Sequence, residues 1–156
     1  MGARLVPLTV GTLAPAFTLL NQDREPVSRD DLKGARSMIV FIPFAFTATC
    51  EGELCQIRDE YSLFDDAGAR VVAITCNTLH ANRAWAEQQG FQFDILSDFW
   101  PHGEVARSYD SFNEERGYAE RTTYFLDEDS VITGLTRSDE LRVARDFGIY
   151  RAAFKS

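Results

Sequence analysis

The spacing of apolar residues changes several times along this chain, and each change marks an element. Residues 15–20 (PAFTLL) alternate well enough for a strand, and residues 21–26 (NQDREP) are turn formers. Residues 37–42 (SMIVFI) are a continuous apolar run, the pattern of a central strand buried on both faces, and Pro43 ends it because it has no N–H to donate. Beyond Pro43 the period lengthens: Leu54, Ile57, Tyr61 and Phe64 recur at helical spacing, and Gly68 stands where a C-cap belongs. Residues 70–76 (RVVAITC) predict a second buried strand, 79–89 a helix containing Trp85, and 91–96 (FQFDIL) a third strand. Residues 103–109 predict a short helix, and 122–126 and 131–135 flank DEDS as a hairpin. The last stretch, 138–154, carries Leu141, Ala144, Arg145 and Gly148 at loosely helical spacing and predicts a helix packed on the sheet.

Strand–helix units followed by a hairpin and a final helix describe an α/β fold, a mixed central sheet with helices on both faces, as in the thioredoxin-like folds. Chemistry in such open sheets gathers beyond the C-terminal ends of the parallel strands, here at residues 43–50 and at Cys76. A length of 156 residues predicts one domain, 1–156. With 45% hydrophobic and 26% charged residues, disordered, collagenous and coiled-coil classes are excluded. The net charge of −8 would repel nucleic acid and anionic membrane surfaces, so neither is expected as a partner. No signal-length apolar run precedes Pro7, and Val6 stands where myristoylation after Gly2 wants Ser or Thr. No run approaches the roughly 18 residues that span a bilayer, and a cytoplasmic location is expected. Three cysteines are too few and too odd for a stapled scaffold, which turns attention to thiol chemistry.

Cys50 falls at the start of the predicted helix, about 40° from Leu54 and about 20° from Ile57 around the axis, on the inward side. Sheltered but not deep, it would feel the positive end of the helix dipole and the unpaired N–H groups, both of which favour a thiolate nucleophile. Taken alone, such a cysteine is more often a small buried hydrophobe. Thr47, three residues earlier, can cap the helix or donate to an oxygen bound there, and Pro43 can wall the pocket with its ring.

Together these residues spell P-x-x-x-T-x-x-C, and the segment PFAFTATCEGEL resembles the active-site motif of the peroxiredoxins, most closely the AhpE-like branch. SDFWPHG at 97–103 and Phe112-Asn113-Glu114 extend the resemblance over nearly the whole chain. It implies a cofactor-free and metal-free thiol peroxidase acting on hydrogen peroxide, organic hydroperoxides or peroxynitrite. Cys50 matches the peroxidatic cysteine that becomes a sulfenic acid, Thr47 the hydroxyl that orients the peroxide, and Pro43 the shield against water. Arg121 matches the arginine that stabilises the thiolate and the charge developing on the peroxide, and Glu53 the carboxylate that pairs with it. The resemblance also implies a homodimer, with Phe44, Phe46, Phe99 and Trp100 as pocket or dimer-contact residues; core packing is their default reading.

Cys55 follows Cys50 by five residues, as in the BCP/PrxQ branch, where the second cysteine resolves the sulfenic acid; many AhpE-like chains lack it. In an intact helix the two Cα atoms lie roughly 8.5 Å apart, and a disulfide wants less than about 7 Å. An intramolecular Cys50–Cys55 disulfide therefore requires the first helical turns to unwind, which Gly52 eases; the other reading of Cys55 is a bystander thiol on the helix flank. The expected reductants are thioredoxin or mycothiol with mycoredoxin. Cys76 is expected to pack, with a secondary resolving role as the other option. C-x4-C lacks the paired spacing of zinc sites, and Glu53 stands where a C-x-x-C reductase would need cysteine. The alternative from another class is a redox sensor or chaperone-like protein that reacts once rather than turning over.

Overall fold

The computed structural model describes residues 8–154, so the reading of Met1 to Pro7 lies outside the described residues. Its centre is the strand the apolar run predicts: β3 (Ser37–Ile42) is buried at every position. Because successive side chains point to opposite faces, Met38, Val40 and Ile42 enter one core while Ile39 and Phe41 enter another. The first core packs under α1 (Ala48–Asp59), α2 (Tyr61–Asp66), α3 (Leu79–Gln89) and α5 (Phe147–Phe154) through Leu54, Ile57, Phe64, Trp85 and Phe154. The second packs under α4 (Glu104–Ser108) and the N-terminal segment through Phe17, Leu32, Val105, Ala106 and Tyr109. Each Leu, Ile, Val or Phe among them, removed from water, contributes about 1.5 to 3 kcal/mol.

The sheet runs β2 (Pro26–Ser28), β1 (Thr18–Leu20), β5 (Asp94–Ser97), β4 (Arg70–Thr75), β3, β8 (Arg121–Leu126), β9 (Ile132–Ser138). β3, β4 and β5 are parallel; β8 lies antiparallel to β3. That reversal builds the site. Val40 pairs with Thr123, so two residues further along β3, where Pro43 follows, the neighbour in β8 is Arg121. The C-terminal ends of β4 and β5 bring Cys76 and Asp98 to the same edge.

Several predicted elements are corrected. The strand expected over 15–20 is only Thr18–Leu20, and the turn that follows it leads into a further short strand, β2, that the sequence pattern does not show. The stripe from Leu54 to Phe64 is two helices, α1 beginning at Ala48 and breaking at Glu60. Residues 91–96 start β5 late, at Asp94, because Phe91 and Phe93 turn into the first core instead of pairing. A two-stranded ribbon, β6 (Phe112–Asn113) with β7 (Tyr118–Ala119), was not foreseen. The final helix is only α5: residues 139–146 form an irregular strap across the end of α1, because Leu141, Arg142 and Arg145 give their hydrogen-bonding groups to the site rather than to a helix.

At this edge of the sheet the Asp98 carboxyl is buried without an ion-pair partner among the described residues. Asp98 accepts from the N–H groups of Val105 at 3.1 Å and Ala106 at 2.8 Å, capping α4, yet burial pushes its pKa up to about 6 from 3.8. The native state therefore binds a proton that the unfolded chain has already lost between about pH 4 and 6, so this group's stability contribution falls as pH rises through that window, by about 3 kcal/mol in all. Glu53, whose carboxyl is held below the usual range, acts in the opposite sense and only at lower pH. Urea unfolding at intervals across that window should show this decline in the wild type and lose it in Asp98→Asn; parallel curves for the two proteins would refute the assignment.

Candidate active site

The turn between β3 and α1 is set by its backbone. Phe46 takes a left-handed φ of 67°, unusual for a bulky residue, and it is kept there by neighbours. The Ala45 N–H donates to Asn77 Oδ1 at 2.9 Å, and the Phe46 ring packs 6.1 Å from that of Trp85. Thr47 is the N-cap residue of α1, but its hydroxyl makes no cap bond; it donates back to Phe44 O at 3.1 Å. Of the two uses foreseen for this hydroxyl, capping is thus not adopted.

Cys50 lies in the first turn of α1, and its side chain is wholly buried, deeper than its position at a helix start suggests. The Arg121 Nη1 donates to Cys50 Sγ at 3.4 Å and to Glu53 Oε1 at 2.5 Å, while its Nη2 donates to Leu141 O at 2.5 Å. Arg121 Nε is buried and finds no partner among the described residues. Pro43 and Arg121 share a small pocket of about 40 Å³ with Tyr118 and Leu141. A larger cavity of about 280 Å³ opens in front of Phe44, Thr47, Thr49, Arg121, Leu141 and Arg142. The structure thus gathers Pro43, Thr47, Cys50, Glu53 and Arg121 around one corner of the sheet.

The residue that sequence reasoning missed is Arg145. Its backbone N–H, Nε and Nη2 all donate to the Glu53 carboxylate, at 2.7, 2.9 and 2.7 Å, and its Nη1 reaches Phe41 O at 2.8 Å and Thr123 Oγ1 at 3.2 Å. Tyr150 closes the network with a 2.7 Å contact to Thr123 Oγ1. Burial pushes the Glu53 carboxyl up, but the hydrogen bonds and charge of Arg145, with the charge of Arg121, more than offset it and hold it below the usual carboxylate range. Arg145 sits in an irregular segment without periodicity, so in sequence it read as one more member of a loose helix. The available signal was an unbalanced one: a carboxylate at a buried helix position calls for more than one cation.

The other two cysteines are separated from Cys50. Cys55 faces α3, its thiol donating to Gln89 Oε1 at 3.4 Å, and burial, against the charge of Arg58 and with those of Glu51 and Asp59, pushes that thiol up. Cys76 lies in the core on the opposite face of the sheet from Cys50; burial pushes it up to about 12. All three are free thiols. Among the described residues no three His, Cys, Asp or Glu side chains come together as a metal site would require, and no helix is long and apolar enough to cross a membrane. The aromatic group is split: Phe44 packs 4.9 Å from Tyr118, whereas Phe46, Phe99 and Trp100 are exposed, Trp100 by 82%.

Known proteins are similar to this chain in sequence and in fold. Alkyl hydroperoxide reductase E of Mycobacterium tuberculosis is 42% identical over 126 residues, covering 80% of this chain and 82% of that protein. The fold matches the crystal structure of peroxidoxin BcpB from M. tuberculosis with a TM-score of 0.83 at 24% identity, over 95% of this chain and 96% of that one. It matches Enterococcus faecalis AhpC with a TM-score of 0.86 at 20% identity, over 96% and 92%. The sequence profile of the AhpC/TSA family aligns with residues 10–134, a span that holds the buried cysteine, its arginine and the edge of the sheet that joins them. The chain belongs to the AhpC/TSA family and is a thiol peroxidase of the peroxiredoxin type.

Proposed function

We propose that this peroxidase reduces hydrogen peroxide and organic hydroperoxides, and extends to peroxynitrite, with Cys50 as the attacking thiolate. The observation that carries the reading is the Arg121 guanidinium, whose Nη1 lies 3.4 Å from Cys50 Sγ and is shared with Glu53, while Leu141 O fixes its Nη2. The thiolate attacks the terminal oxygen, the O–O bond breaks, the departing alkoxide takes a proton, and Cys50 is left as a sulfenic acid. A fixed cation at the oxygens stabilises charge that exists mainly in the transition state, which raises rate rather than ground-state binding. Thr47 borders the mouth, where its hydroxyl can orient the incoming peroxide, and Pro43 limits water at the sulfur. Apolar Phe44 and Leu141 beside that mouth suit an alkyl substituent, in keeping with the name of the relative alkyl hydroperoxide reductase E.

Glu53 and Arg145 are positioning residues: Glu53 holds Arg121 against the sulfur, and Arg145 holds Glu53. Cys55 then resolves the sulfenic acid as a Cys50–Cys55 disulfide, which a dithiol such as thioredoxin, or mycothiol with mycoredoxin, reduces. Free thiols and a thiol reductant suit a cytoplasmic location. The exposed Phe46, Phe99 and Trp100 beside the active-site edge are the proposed face of a homodimer.

With a dithiol reductant, wild type should consume peroxide over many turnovers and Cys50→Ser none; a single stoichiometric reaction would instead mark a sensor. Mass analysis after one equivalent of peroxide should show the loss of two hydrogens, absent in Cys55→Ser; a sulfenic acid that accumulates in wild type would count against resolution by Cys55. Stopped-flow oxidation should be slowed about 100-fold or more in Arg121→Met. Arg145→Met removes one side of a buried ion cluster and should cost about 3 to 5 kcal/mol of stability by urea unfolding, while Arg145→Lys recovers part of both stability and oxidation rate; an unaffected Arg145→Met would dismiss the positioning role.

A further inference from the structure

Cys55 lies in the seam between α1 and α3, whose other contacts take no part in the chemistry described so far. The Trp85 indole N–H donates to Glu51 Oε1 at 2.9 Å, and one turn further the Cys55 thiol donates to Gln89 Oε1 at 3.4 Å. Glu51 and Cys55 are four apart on α1, and Trp85 and Gln89 four apart on α3, so the two contacts are successive rungs between facing stripes. Trp85 is wholly buried, and an indole N–H without an acceptor there would carry an appreciable desolvation cost.

The rest of the first turn of α1 is weakly held. Thr47 supplies no cap bond, Gly52 has low helix propensity, and the Thr49 hydroxyl reaches Arg142 O only at 3.4 Å. Around the helix axis, Cys50 and Cys55 stand about 140° apart but Glu51 and Cys55 only about 40°. To approach Cys55, the oxidised sulfur must leave the Arg121 side and move toward the α3 flank, a sector that Glu51 occupies.

We propose that the Glu51–Trp85 hydrogen bond is a latch on the first turn of α1, and that its release governs how fast the Cys50 sulfenic acid reaches Cys55. This rests on the reading of Cys55 as the resolving thiol. Once the turn opens, the Cys55 thiolate attacks the sulfenyl sulfur; the S–S bond forms, the S–O bond breaks, and the leaving hydroxide takes up the proton given by the Cys55 thiol as water. No oxidant beyond the first peroxide is consumed. Glu51 acts through the helix rather than on the substrate, and is a positioning residue. Its charge also bears on Cys55, since the Glu51 carboxylate adds to the burial that pushes that thiol up, so the test must separate hydrogen bond from charge.

Three variants do so: Glu51→Ala loses both, Glu51→Gln keeps an acceptor for the indole but loses the charge, and Trp85→Phe keeps the charge but loses the donor. After a pulse of one equivalent of hydrogen peroxide, samples quenched with a thiol alkylator are followed by mass for disulfide closure, relative to sulfenic acid formation in the same protein. The latch predicts closure about tenfold faster or more in Glu51→Ala and Trp85→Phe, and within about twofold of wild type in Glu51→Gln. Acceleration in both Glu51 variants with Trp85→Phe unchanged would assign the effect to the charge on Cys55 and overturn the latch, as would unchanged rates throughout. Amide hydrogen exchange over residues 50–54 of the reduced enzyme reads the same latch without the disulfide: faster exchange in Glu51→Ala and Trp85→Phe supports it, and unaltered exchange overturns it. A wild type that forms no disulfide overturns the resolving role of Cys55, and exchange alone then decides the latch.

Discussion

One buried carboxylate, Glu53, holds the active corner together. It comes from α1, and the cations it binds come from β8 and from the strap at residues 139–146, so three segments distant in sequence meet at its two oxygens. Taking one carboxylate and two guanidiniums out of water costs several kcal/mol per ion and is offset only when nearly every polar atom is paired. Here both carboxylate oxygens are doubly engaged, and Arg145 is satisfied by Phe41 O and Thr123 Oγ1 as well. The atom left over is Arg121 Nε. The cluster brings two positive charges against one negative, leaving an excess of positive charge beside Cys50, where a reacting peroxide oxygen gathers negative charge.

That arrangement stiffens the second turn of α1 while the first stays lightly tethered. Glu53 cannot move without stranding two buried cations, but Thr47 does not cap the helix and Gly52 interrupts its better helix formers. The helix is therefore firm where it aims Arg121 and yielding where it carries Cys50. An attacking thiol needs a fixed neighbour cation while it reacts and freedom to move once it is oxidised. Placing the two demands on adjacent turns of one helix meets both.

Much of this was legible in the chain and some was not, for physical reasons. The run at 37–42 identified β3 because a strand buried on both faces has no polar positions to confuse it, and residues 70–75 followed the same rule. The motif around Cys50 was legible because its members are close in sequence, and Arg121 and Glu53 followed from the family resemblance. Arg145 was hidden because it lies 92 residues from its carboxylate, in a segment whose conformation is set by tertiary hydrogen bonds and carries no period. β2, β6 and β7 are only two or three residues long, too short for alternation to show. Phe91 and Phe93 imitated the start of a strand while serving the core under α3.

The three thiols show how much of a cysteine's chemistry comes from its surroundings. Cys50 and Cys76 are both buried near the same edge of the sheet, yet they enter different cores, and a close-packed sheet between them leaves no path for their sulfurs to meet. Cys76 has the buried Asp98 nearby, and burial and that carboxylate together outweigh the opposing charge of Arg107 and work against its ionisation. Cys55 is shielded by the α1–α3 seam and by acidic neighbours, a setting that keeps it a quiet thiol while the helix is whole. Cys50 alone has a guanidinium on its sulfur. In a chain of net charge −8, that positive group has to be local, buried and fixed, because nothing in the overall field would supply it.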